Sequence, residues 1–141
     1  MQPLTHFTDR RVILSTLWLF FIVNIIYADV FSLIDVTFSG TDVSAAENAD
    51  LISAIVTPGM LLLIAVILES GMAMIVLSRL LKRAINRWAN IVIAVLQALV
   101  LSASLFVGTP KIYYIFFATV ELGTLMLIIG YAWTWKEPQS E

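Results

Sequence analysis

Cysteine is absent from the chain, and histidine occurs once, at His6. The first absence removes disulfides, thiol redox chemistry and cysteine-ligated zinc or iron–sulfur centres, and the second removes a histidine-rich metal site or a histidine-dependent triad. Charge is scarce as well. Of 141 residues 13% are charged and 60% hydrophobic, whereas soluble domains carry about a quarter charged and about half apolar residues. The net charge of −2 offers no electrostatic basis for binding nucleic acid. What the chain has in excess is apolar side chain, with a mean hydropathy of +0.96. A protein this small has too much surface relative to its core to hide that excess from water, so the solvent it implies is lipid.

Four apolar runs stand out, at 12–34, 58–80, 88–107 and 112–135. Each is close to the ~20 residues a helix needs to cross a hydrocarbon core of ~30 Å. The runs are continuous rather than alternating, which selects helices over barrel strands. The first run outlasts the about 7–15 residues of a signal-peptide core and no small-residue cleavage motif follows it, so it is expected to be retained as a span. The predicted fold class is all-α, an integral membrane four-helix bundle in one domain over 1–141. Short turns at 82–87 and 108–111 make spans two, three and four antiparallel neighbours in order.

Arg10, Arg11, Arg79, Lys82, Arg83, Arg87 and Lys136 fall on one side of this arrangement. Lys111 falls on the other, with Asp35, Asp42, Glu47 and Asp50. Loops rich in Lys and Arg stay in the cytoplasm, so both termini are expected to face in. In the outer loop, 35–56, Ser44 and Glu47 fit a capping box and predict a short surface helix over about 45–55. Trp88, Trp133, Trp135, Tyr113 and Tyr114 sit at span ends, where amphipathic rings prefer the headgroup level.

Spans two and four open alike. Thr57-Pro58 and Thr109-Pro110 each offer a capping hydroxyl followed by proline at the first helical position. Glu69 and Glu121 stand twelve residues after the two threonines, and Gly71 and Gly123 two residues further on. Both acids then lie roughly 18 Å below one boundary, near mid-membrane. Two hairpins related by an axis along the membrane normal would give this pattern, and so would chance.

A carboxylate at the centre of a spanning helix costs about 2.5–3.5 kcal/mol, against a gain of about 0.3–0.6 kcal/mol from a Leu or Ile. Such residues usually turn to the bundle interior. No Lys or Arg lies near the middle of a span to pair with them, so at least one of Glu69 and Glu121 is expected to be neutral at pH 7. Ala65, Glu69 and Ala73 form a small-residue stripe on span two, and Ala118, Glu121 and Thr124 share a face of span four. On span three Asn90, Ala94, Gln97 and Ser104 recur at helical spacing, and span one adds Asn24 and Asp29. The candidate ligand- or proton-binding residues are therefore Glu69, Glu121, Gln97, Asn24 and Asp29. Interhelical hydrogen bonding accounts equally well for Gln97, Asn90 and Asn24, and an interfacial position for Asp29. Positive-inside topology explains the basic turn from Arg79 to Arg83 without a bound anionic lipid.

With those residues in view, Tyr27-Ala28-Asp29-Val30-Phe31-Ser32, Thr57-Pro58-Gly59, Asn86-Arg87-Trp88-Ala89-Asn90 and Tyr114-Ile115-Phe116-Phe117-Ala118-Thr119-Val120-Glu121 resemble a family of uncharacterised four-span bacterial membrane proteins. The resemblance implies a four-helix fold in a bacterial inner membrane and carries no activity. Asp29 and Glu69 alone are also similar in placement to the two acids of the sterol-isomerase and sigma-2-receptor group. There an acid ends the first span and another sits in the second, around a ligand pocket open to lipid.

Three readings stay open. The chain binds or transports a small, cationic or amine-bearing solute with proton linkage through Glu69 and Glu121, its four spans dimerising to complete a path. No span carries the mid-helix proline break that transporters use at their sites. Alternatively it binds or isomerises a lipid-soluble molecule, with a carboxyl tuned as general acid. In the third reading it is a structural subunit whose acids keep their protons. An apolar, lipid-facing cavity at Glu69 would favour the second, and a water-filled vestibule the first. No cofactor, metal site or catalytic residue is assigned. The expected partners are membrane lipid, a small-molecule ligand and a second copy of the chain.

Overall fold

The computed structural model describes residues 9–38, 57–106 and 110–135. These form four helices: α1 (Arg10–Phe38), α2 (Pro58–Leu80), α3 (Arg83–Ser104) and α4 (Ile112–Trp133). At 1.5 Å rise per residue the last three are about 33–35 Å long and α1 about 43 Å. All four are long and apolar enough to cross a membrane. The protein is a multi-pass membrane four-helix bundle. The surface helix expected near 45–55 lies outside the described residues.

Helix starts have local causes. Thr57 Oγ1 accepts the Met60 N–H at 3.2 Å, and Pro58 stands at the first helical position, as the Thr-Pro pair predicts. At the second pair α4 starts later, with Pro110 before the cap residue Lys111, whose side chain makes no capping bond; Thr109 lies outside the described residues. α3 starts at Arg83, ahead of the expected residue 88. Its first turns are tied down by asparagines: Asn86 Nδ2 donates to the Ser78 carbonyl at 2.6 Å, and Asn90 Nδ2 donates to Asn86 O and Oδ1 at 2.8 and 2.6 Å.

The helices form a closed ring in which α1 packs on α2, α2 on α3, α3 on α4 and α4 on α1. Leu14, Trp18, Phe21, Met74, Ala94, Leu125 and Ile128 fill the centre. The outer face carries Leu19, Phe20, Leu62, Val66, Val92, Leu99, Phe116 and Met126, all exposed, while Ser15, Ser78, Asn86, Asn90, Gln97, Glu121 and Thr124 are buried. A soluble bundle has the opposite distribution. Lipid accounts for it.

Lipid tails are as apolar as leucine, so helices in a membrane associate through close packing and interhelical hydrogen bonds rather than hydrophobic force. Both occur here at one level. Trp18 Nε1 donates to Asn90 Oδ1 at 2.7 Å, and Ser78 Oγ reaches the same oxygen at 3.3 Å, which joins α1, α2 and α3. Nearby, Ser15 Oγ donates to the Ile75 carbonyl at 2.6 Å and accepts Arg79 Nε at 2.9 Å. Deeper in, Gln97 Nε2 donates to the Ile67 carbonyl at 2.6 Å.

At Gly71 the side chains of neighbouring helices leave no room for a Cβ. A Cβ built there would lie 2.9 Å from Gln97 Nε2 and 3.3 Å from Trp18 Cζ3. The buried face of α2 is accordingly Ile67, Gly71, Met74 and Ser78. Gly123, its counterpart in the echo between spans two and four, meets nothing within 4 Å. Gly71→Ala should therefore displace the Gln97 amide from Ile67 and lower stability by about 1–3 kcal/mol. Gly123→Ala should be neutral or stabilising by under about 1 kcal/mol. Thermal unfolding of both variants in detergent checks the contrast.

Candidate functional site

Successive helical residues are about 100° apart, so positions two apart lie about 200° apart, on opposite faces. Once Gly71 faces the core, Glu69 has to face outward. Glu69 is exposed, and so is Ala65 of the stripe that was expected to point inward. In α4 the geometry is reversed. Ala118, Glu121 and Thr124 are buried, Glu121 at 4% exposure, and Gly123 faces out. The shared spacing of the two Glu-x-Gly pairs thus maps onto opposite faces, and the single polar layer expected of Glu69, Gln97 and Glu121 is divided.

Three environments result. Inside the ring, Asn24 Nδ2 donates to Glu121 Oε1 at 3.2 Å and to the Phe117 carbonyl at 3.3 Å, which pins α1 to α4. Gln97 is buried and bonded to α2. On the outer surface a cleft of about 310 Å³ separates α1 from α2. Its walls are Ile22, Ile25, Ile26 and Asp29 from α1, and Ala65, Leu68, Glu69 and Met72 from α2. Each set runs i, i+3, i+4, i+7, the spacing of one helix face. The two faces do not close on each other where Ala65 supplies only a methyl group.

Ile26, Asp29, Ala65, Glu69 and Met72 are all exposed, so the cleft opens sideways, toward lipid rather than toward the centre of the ring. Asp29 and Glu69 are its two carboxyls, and its remaining walls are aliphatic, alanine or methionine. The structure therefore brings Asn24 to Glu121 and Asp29 to the cleft of Glu69, and leaves Gln97 with the backbone of α2. Glu69 lies about 16 Å along α2 from Leu80, at mid-bundle.

The polar residues that hold α1, α2 and α3 together include Trp18, Ser15, Ser78 and Asn86, none of which the sequence singled out. The signal was present in part: Asn86 precedes Asn90 by four, extending the stripe of Asn90, Ala94 and Gln97. Nothing in the pattern marked Trp18, whose neighbours Leu17, Leu19 and Phe20 are equally apolar. At the span ends, Tyr114 Oη and Ser104 Oγ are 2.7 Å apart, and Tyr113 Oη donates to Asp35 Oδ2 at 3.4 Å. Lys111 pairs with Asp35, joining α1 to the start of α4.

The chain belongs to a family of unknown function, DUF6326, whose sequence profile matches residues 1–140. No curated protein and no solved structure matches it.

The Asn24–Glu121 bond gives a direct test of what Glu121 does. Glu121→Gln keeps an acceptor for Asn24 and should melt within about 1 kcal/mol of the native protein. Asn24→Ala leaves the Glu121 carboxyl without its side-chain donor inside the ring and should cost about 1–3 kcal/mol, read as a lower melting temperature in detergent micelles.

Proposed function

We propose that the protein is a membrane-embedded binding protein for a small, lipophilic, amine-bearing molecule, which enters the α1–α2 cleft sideways from the lipid and pairs with Asp29 and Glu69. The observation that carries this reading is the lining of that cleft, two carboxyls among aliphatic walls on a lipid-facing surface. An intramembrane carboxyl is costly to retain and marks a site by default. Every Lys and Arg of the four helices lies near a helix end rather than at the level of Glu69, so the cation that would offset it can come with a ligand. An ammonium group supplies that missing partner and makes a charge-assisted contact with a carboxylate of the cleft.

The size of the cleft suits the smaller members of the range for ligand pockets, ~300–1,000 Å³. Behind it the core is closed at Gly71, against which Gln97 and Trp18 pack. That packing favours reception of a ligand over its passage through a single chain. Gln97, Asn24 and Glu121 lie outside the cleft and hold the helices that form it, through bonds to α2 and between α1 and α4. Location belongs to the same proposal. The basic residues at the Arg10 end favour a cytoplasmic position for both termini in a bacterial cell, with the cleft in its inner membrane.

Binding of a fluorescent long-chain alkylamine to the full chain in nanodiscs, compared with the matching alcohol, tests the reading. The amine should bind tighter than the alcohol. Asp29→Asn combined with Glu69→Gln should weaken amine binding about tenfold or more, the loss of one or two charge-assisted contacts. The same pair should leave binding of the alcohol unaffected. Equal binding of amine and alcohol by the native chain would remove the proposal.

A further inference from the structure

A second pair of cavities lies on the opposite side of the ring, at the end of the bundle that carries Arg10 and Arg83. One, of about 230 Å³, is lined by Arg83, Ala84, Arg87, Trp88 and Trp135. The other, of about 610 Å³, is lined by Ala84, Ile85, Trp88, Ala89, Val92 and Ile93. Ala84 and Trp88 line both, so the two are adjacent.

Their chemistry differs sharply. The first holds two guanidinium groups. Arg83 sits over the Trp135 ring at 6.0 Å and Arg87 over the Trp133 ring at 5.7 Å. Arg83 also donates to the Trp135 carbonyl at 3.4 Å. Among the described residues neither arginine pairs with a carboxylate, and Arg87 Nε is buried without an acceptor. The rings hold both cations in place while leaving their charge unneutralised. The second cavity is a shallow, open groove on the surface of α3 between two rows at i, i+4, i+8, namely Ala84, Trp88, Val92 and Ile85, Ala89, Ile93, and its lining is apolar. From Ala84 to Val92 it runs about 12 Å, close to the depth of one leaflet's hydrocarbon, ~15 Å.

We propose that this face binds one anionic phospholipid, with its phosphate between Arg83 and Arg87 and an acyl chain in the α3 groove. The charge in the first cavity selects a phosphate. Its position beside an apolar surface groove about one leaflet long selects a phosphate that carries a chain. The exposed Trp88 ring stands where head and tail meet, at the level such rings favour. The site shares no residue with the α1–α2 cleft and stands whether or not that cleft binds an amine.

Native mass spectrometry of the full chain, released from micelles doped equally with phosphatidylglycerol and phosphatidylcholine, tests it. Phosphatidylglycerol adducts should exceed phosphatidylcholine adducts by at least about fivefold, and each arginine replaced by glutamine should lower that preference about fivefold. Lys82→Gln removes a neighbouring charge outside both cavities and should keep the preference. Ala84→Leu leaves every charge in place, blocks the junction, and should lower phosphatidylglycerol binding to the phosphatidylcholine level. It decides the matter should the arginine variants fail to fold. Equal losses from Lys82→Gln and the arginine variants would reduce the effect to surface charge and overturn the proposal. Unchanged binding by Ala84→Leu, or displacement of the lipid by equimolar inorganic phosphate, would overturn it too.

Discussion

The arrangement rests on one oxygen. Asn90 Oδ1 accepts from Trp18 of α1 and Ser78 of α2 while Asn90 itself belongs to α3. In water a contact of this kind would refine a bundle already held by its hydrophobic core. In lipid it does more, because helix surfaces gain little by leaving hydrocarbon for one another. An amide facing hydrocarbon would lose its partners, so rotating any of the three helices carries a hydrogen-bonding penalty as well as a packing one. The Asn90 hub and the close contact at Gly71 therefore fix how α2 is turned. That turn in its own right puts Glu69 on the outside.

The position of the candidate site follows from this constraint. Glu69 occupies the lipid-facing cleft because Gly71, about 200° around the helix, is needed where Trp18 and Gln97 crowd α2. Glu121 occupies the interior because α4 has no comparable demand at Gly123. Two acids at similar depth and with the same local spacing thus acquire different surroundings. One is bonded to Asn24 within the ring, and the other shares an open cleft with Asp29.

The sequence was most informative where a signal is carried by many residues at once. The four spans, their helical character and the neighbouring order of α2, α3 and α4 follow from runs of some twenty residues each. The stripe of Asn90, Ala94 and Gln97 was legible because polar residues at helical spacing in an apolar run mark a face turned away from lipid. The facing of α2 was not legible. Ala65, Glu69 and Ala73 form as plausible a small-residue stripe as Ile67, Gly71 and Ser78, and the choice depends on Trp18 and Gln97, side chains from two other helices. The role of Trp18 was hidden for a similar reason, since an indole in an apolar run advertises its hydrophobic body and conceals its N–H. The cap at Thr57 was readable from two adjacent residues. At the second Thr-Pro pair the pattern misplaced the start of the helix, because α4 begins beyond Pro110.

The ring closes where the first helix meets the last. Asn24 of α1 bonds Glu121 of α4, and Arg10 donates to the Tyr131 carbonyl and to Thr134 Oγ1, each at 3.0 Å. A ribosome delivers α1 first and α4 last. The opening segment of the chain therefore enters the bilayer well before its final partner has been synthesised. Until then the Asn24 amide and the Arg10 guanidinium must find provisional company in the insertion machinery, in water at the membrane edge or in lipid headgroups. Maturation of this protein thus has a built-in order, in which α2 and α3 can meet early and the closing seam is sealed only after translation has run past Thr134.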